Sequence, residues 1–252
     1  KLRDDGYYDM DFDNLEKVCD DKCRIFILCN PHNPAGICWR KETLQQLADF
    51  CYDHHLLVIS DEIHCDMAIF GHKHIPFATV SEKARENSIT FQAPTKTFNI
   101  AGIISSYAII PNSDIRKKFY GWVNANELDE ANIFAPIATI AAFTKGEEWR
   151  KAMLAYIEDN VRFIEDYCEK NIPQIHPLRP QASFLVWLNC RELNLDHKDL
   201  LDLFIDKAHL ALNDGEMFGQ GGEGFMRMNI ATPRSVIKQA LDQLATAVNN
   251  LK

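Results

Sequence analysis

The sequence has 252 residues, 46% apolar and 25% charged, with 27 basic and 36 acidic side chains and a formal net charge of −9. That is globular composition with enough chain for one large or two modest cores, and the acidic balance gives no electrostatic reason to bind nucleic acid or an anionic membrane. No apolar run is long enough to cross a bilayer, and the opening KLRDDGYYDM has no apolar stretch after its basic start, so it is not read as a signal peptide.

Eight cysteines are too sparse for a disulfide framework. Cys29 and Cys190 sit in strand-like runs, Cys51 and Cys168 in helix-like ones. They read as reduced, mostly buried thiols of a cytoplasmic protein. Cys19, Cys23 and Cys29 do not have zinc-ligand spacing, and no histidine pair completes a site.

In chain order, RIFILC (24–29) is a short apolar run, followed by the loop NPHNPAG (30–36). Residues 41–54 place Leu44, Leu47, Ala48, Cys51 and Tyr52 at helical spacing. LLVIS (56–60) is a second apolar run. Strand, helix, strand in this space predicts a βαβ unit, and the fully apolar strands predict a mostly parallel sheet with helices on both faces. SITFQA (88–93) and IISSYAII (103–110) are two more strand candidates.

The second half changes character. Residues 131–169 read as helical, broken near Lys145 and Gly146, with Met153, Ile157, Val161, Ile164 and Cys168 in one stripe. SFLVWLNC (183–190) reads as a strand and residues 199–210 as a helix. A glycine-rich loop then leads to the strand FMRMNIA, and an amphipathic helix closes the chain. The predicted organisation is an α/β domain over 1–146 and a smaller α+β domain over 147–252.

Three loops fall at strand ends: Asn33 after the first strand, Asp61 at the end of the second, Lys96 after the third. A lysine taken alone is ordinarily a solvated surface charge. Asn33-Pro34 alone is a turn, and Asp61 alone is a helix cap. Together, an amide, a carboxylate and an amine at the carboxyl ends of successive strands stand where open α/β sheets bind ligands.

NPHNPAG (30–36), SDEIHCD (60–66), APTKTFNIAG (93–102) and GFMRMNIATPR (224–234) resemble the successive motifs of fold-type I pyridoxal phosphate enzymes. More narrowly, they resemble the branch of cystathionine β-lyases and C–S lyases of the PatB/MalY type, which neighbours the class I/II aminotransferases. The resemblance implies that 1–146 is the remainder of the cofactor-binding large domain and 147–252 the small domain.

It also implies roles. Lys96 would bond the cofactor's aldehyde and later take the substrate's Cα proton, for which its amine is expected to be desolvated or near positive charge. Asp61 would pair with the protonated ring nitrogen, and Asn33 would hydrogen-bond the ring hydroxyl oxygen. His64 replaces a tyrosine found in many aminotransferases and would touch the ring or support Asp61; its alternative is a structural histidine. Thr95 would place a hydroxyl on the cofactor phosphate, with Thr97 a weaker candidate. Arg227 would clamp the α-carboxylate of an amino-acid substrate. Arg234 is expected in an ion pair at a helix start. Ala93 stands where serine is frequent and Ile104 where many aminotransferases carry arginine, so the phosphate would be held mainly elsewhere.

The family is longer at its N-terminus by about a third, including a helix N-terminus that takes phosphate and an aromatic residue stacked on the ring. Tyr7 and Tyr8 are too early and too polar in context to replace it. The chain is therefore expected to be the C-terminal part of a longer, homodimeric enzyme. The implied activity is carbon–sulfur β-lysis, with aminotransfer as the alternative. Two readings of other classes stand beside it: a metal site from Asp61, Glu62, His64, Asp66, His72 and His74, and a non-catalytic binding module.

Overall fold

The computed structural model describes residues 1–3 and 7–251. The chain divides into two compact units, one formed by residues 11–32 and 38–152, the other by residues 1–10, 33–37 and 153–252.

The first unit opens with α1 (Phe12–Val18), capped by Asp11, whose carboxylate accepts from the Asn14 amide. The helix buries none of its residues, so no apolar period announces it. Then come β1 (Ile25–Cys29), α2 (Lys41–Asp53), β2 (Leu57–Asp61), α3 (Glu82–Glu86), β3 (Ser88–Gln92), α4 (Pro94–Thr97), β4 (Tyr107–Ile109), α5 (Ser113–Ala125) and α6 (Phe134–Lys145). The sheet order is β1-β2-β3-β4, with the first three strands parallel and β4 antiparallel. This is the predicted α/β class.

Helix α2 buries Leu44, Leu47, Ala48 and Cys51 as its spacing predicts. Tyr52, at the rim of that stripe, is 48% exposed, and Phe50 is buried instead. Two strand expectations change. On β1, Ile25 and Ile27 are 53% and 72% exposed, so that side of the strand has no cover among the described residues. The run 103–110 yields only a three-residue strand: Ala101–Ile103 is a tight turn and Ile104 has a left-handed φ of 51°, which delays the extended segment.

Helix α7 (Glu147–Asn171) begins in the first unit, and its residues from Met153 belong to the second. The second unit continues with β5 (His176–Leu178), β6 (Leu185–Asn189), α8 (His197–Asp202), β7 (Asn213–Asp214), β8 (Phe225–Asn229) and α9 (Arg234–Asn249). Its sheet is antiparallel in the order β5-β6-β8-β7. Helix α8 widens into a π turn over Leu203–Lys207, which is the rest of the helix predicted to reach residue 210.

Trp187 of β6 stacks on Phe225 of β8 at 5.1 Å in the core of this unit. Asn160 has no exposed surface and is satisfied: its amide donates to the carbonyls of Ile230 and Thr232. Its Oδ1 accepts from Arg234 Nε at 2.6 Å. Arg234 thus makes this bond and lies over the rings of Tyr156 and Phe163, in place of the ion pair expected of it.

Gly36, at the end of the first loop motif, belongs to this unit. Its φ is +66°, and a Cβ there would stand 2.6 Å from the Pro180 Cβ. Its carbonyl accepts from the amides of Gln181 and Ala182 at 2.7 and 3.1 Å. Only glycine meets both demands.

Candidate active site

In the first unit the carboxyl ends of three parallel strands are in register: Cys29 lies opposite Asp61, and Asp61 opposite Phe91. The loops leaving them therefore start from one edge of the sheet. The Asn30 amide donates to the Asp61 carbonyl at 2.9 Å and its side chain to the Ile75 carbonyl at 2.9 Å, which fixes where the first loop departs.

Asp61 ends β2 half-buried, and its carboxylate accepts from the Ile63 amide at 3.2 Å. That bond turns the chain and leaves acceptor capacity for another donor. His64 follows at the head of a short 3₁₀ turn and is 4% exposed. Glu62, between them, has no exposed surface. Its carboxylate accepts from Ser60 Oγ and His74 Nε2 at 2.8 Å, the Phe77 amide at 2.9 Å and Gln92 Nε2 at 3.3 Å. Four donors make it the anchor of the segment 60–77, a residue the sequence offered only as a metal ligand. Among the described residues no group of three or more His, Cys, Asp or Glu is placed to hold a metal ion.

Pro94 sits in the first turn of α4 and pre-sets its φ. This single turn carries Thr95, Lys96 and Thr97. Ala93 caps it without a side-chain bond. Lys96 is exposed and its side-chain amine makes no hydrogen bond or ion pair with a described residue, so the expected desolvation is not found here. Thr95 is half-buried. Thr97 is 1% exposed and its hydroxyl is enclosed without a partner, so of the two only Thr95 is accessible. Ile104 is 82% exposed.

The second unit holds Asn33 and Arg227. Arg227 lies on β8 opposite Trp187 of β6 and Asn213 of β7. Its Nη1 donates to Asn33 Oδ1 at 2.9 Å and its Nη2 to Asn213 Oδ1 at 2.6 Å. The Phe218 ring lies 4.7 Å from the guanidinium carbon. Nε is buried without a partner, and burial pulls the arginine's pKa below its ordinary value. Among the described residues no carboxylate pairs with this cation. Two neutral carbonyls orient it and do not neutralise it, which leaves a fork shaped for an anion. Asn213 and Phe218 had no signal in the sequence beyond a glycine-rich loop; the antiparallel ladder brings them to Arg227.

The family model for aminotransferase class I and II matches residues 1–244. The chain belongs to the aminotransferase class I and II family. It is 39% identical over 249 residues to cystathionine β-lyase PatB of Bacillus subtilis (strain 168), covering 98% of this chain and 64% of that one. It is 34% identical over 250 residues to protein MalY of Escherichia coli (strain K12), covering 98% and 63%. Its fold matches cystalysin from Treponema denticola, a structure that contains a pyridoxal 5'-phosphate cofactor, with a TM-score of 0.93 at 36% identity. That match covers 100% of this chain and 64% of cystalysin. The chain thus spans under two thirds of each of these three family members. No helix among the described residues is long and apolar enough to cross a membrane.

Proposed function

We propose that this chain is the larger part of a pyridoxal phosphate-dependent carbon–sulfur β-lyase. Its substrates are cystathionine or related cysteine S-conjugates, and its products are a thiol, pyruvate and ammonia. The observation that carries the reading is the half-buried Arg227 guanidinium, oriented by Asn33 and Asn213 and unpaired with any described carboxylate. The similarity to PatB, named a cystathionine β-lyase, supports the reaction class.

The donors of the first unit fit the cofactor chemically. Lys96 offers an amine with no competing partner, Asp61 a carboxylate with spare acceptor capacity, and Thr95 an accessible hydroxyl. Bound there, the cofactor supplies an electron sink for charge developing at the substrate's α-carbon. Lys96 would hold it through the aldehyde and would take the substrate's Cα proton. Asp61 would keep a proton on the ring nitrogen. Asn33 would orient the ring hydroxyl oxygen. His64, almost wholly buried at the turn after Asp61, would support that carboxylate or the ring. Arg227 grips the α-carboxylate bidentately. The β-thiolate then leaves, and water completes the release of pyruvate and ammonia.

The test is pyruvate release from cystathionine by the full-length enzyme. No pyruvate, with amino transfer to 2-oxo acids instead, would replace the lyase by an aminotransferase. That second reading is supported by the family model, and it uses the same residues through the first proton transfer. Lys96→Ala should abolish both the near-visible cofactor band and borohydride labelling; a label elsewhere would remove Lys96 from its role.

Two further statements belong to this reading. The full-length enzyme is a homodimer, supported by α6, where Phe134, Ile137 and Ile140 are 66%, 66% and 63% exposed. It works in the cytoplasm, supported by eight cysteines that are all free thiols.

A further inference from the structure

Tyr8 lies in the N-terminal segment that belongs to the second unit. Its hydroxyl donates to the Gly221 carbonyl at 2.7 Å and accepts from Trp187 Nε1 at 3.0 Å. Gly221 belongs to the loop that joins β7 to β8, and so joins Asn213 to Arg227. That loop is a tight arch of glycines. A Cβ on Gly215 would stand 2.1 Å from the Gly222 carbonyl oxygen, and Gly221 has a φ of +89°. Such an arch has few side chains to brace it, and its backbone freedom is large. Tyr8 ties it to the Trp187 indole, fixed in the core of this unit.

The contacts continue from that indole to the cation. Trp187 is 1% exposed, stacks on Phe225 and meets Phe218 edge-on at 5.6 Å. Phe218 lies against the Arg227 guanidinium, and Arg227 faces Trp187 across the ladder. Burial raises the Tyr8 pKa, so the hydroxyl keeps its proton and its donor role.

We propose that Tyr8 is a positioning residue for Arg227: by tying the β7–β8 loop to Trp187, it sets where the guanidinium and the Phe218 face beneath it stand. This rests on the reading of Arg227 as the grip on a substrate carboxylate. Removing the hydroxyl leaves a buried indole N–H without its acceptor and a loop carbonyl without its donor.

The experiment uses the full-length enzyme loaded with cofactor. Binding of a non-reacting α-amino acid and of the matching amine without its carboxylate is titrated by absorbance. The proteins are the parent, Tyr8→Phe and Arg227→Ala, each with a melting curve. Tyr8→Phe should weaken the amino acid roughly three- to tenfold and leave the amine unchanged, as loss of one or two hydrogen bonds behind the anchor predicts. Arg227→Ala should show the same selectivity with a larger loss. If Tyr8→Phe weakens both ligands equally, or only lowers the melting temperature, Tyr8 is a structural residue and the proposal falls. If Arg227→Ala itself does not discriminate between the two, the reading of the carboxylate grip falls and takes the proposal with it.

Discussion

Arg227 and Asn33, 194 positions apart in the chain, are joined by a 2.9 Å hydrogen bond from Nη1 to Oδ1. The bond spends the asparagine's carbonyl on the arginine and points that arginine's fork without cancelling its charge. Arg227→Lys keeps the charge and loses the planar fork. In the full-length enzyme it should lower kcat/KM about a hundredfold, mostly through KM, because bidentate carboxylate binding is lost in substrate and transition state alike. Unchanged KM in steady-state kinetics would show that the guanidinium does not bind substrate.

His32, next to Asn33 in sequence, lies edge-on to Trp39 with ring centroids 5.6 Å apart. The residue is only half-buried, but its Nδ1 is shut off from solvent, and burial holds its pKa down at about 4. The unfolded chain has this group near 6.5. Between those values the unfolded state binds more protons, so stability falls as pH drops from about 6.5 to about 4 and this contribution is flat below. The full loss is roughly 3 kcal/mol. Urea titrations at pH 7 and pH 4.5 should show a smaller drop for His32→Phe than for the parent; equal drops would exclude His32 as the source.

Gly36→Ala puts a Cβ at 2.6 Å from Pro180 and a side chain at φ +66°. The expected cost is about 2 kcal/mol or more, from backbone strain and overpacking together. A denaturation midpoint equal to the parent's would mean that the loop relaxes freely.

Ile140 is 63% exposed on α6. Ile140→Asp should change the stability of this chain alone by no more than about 0.5 kcal/mol, as exposed substitutions do. In the full-length enzyme it should shift the sedimentation coefficient from dimer to monomer. A dimer that survives the charge would place the interface elsewhere.

The parallel strands were legible because continuous runs such as LLVIS are apolar at every position, which a sheet covered by helices demands. The α7 stripe was legible because Ile157, Val161, Ile164 and Cys168 repeat at helical spacing, and all four are buried. Helix α1 was not, since it buries nothing. The exposure of Ile25 and Ile27 was not either: an apolar residue states that it prefers cover, and whether cover is present depends on other segments.

Local chemistry along the chain determined the α/β class, the strand-end loops and the residue types that make Asn33, Asp61, Lys96 and Arg227 candidates, because periodicity and turn residues act over a few positions. The tertiary structure alone decided that Thr95 is reachable and Thr97 is enclosed, and that Glu62 anchors the segment that follows it. It also decided that Asn33, Asn213 and Phe218 converge around one arginine, and that Tyr8 is tied to the loop beside it. Those outcomes depend on strand register and on which distant donors meet one acceptor. Both are set when the chain closes over long separations, and neither leaves a repeat in the sequence.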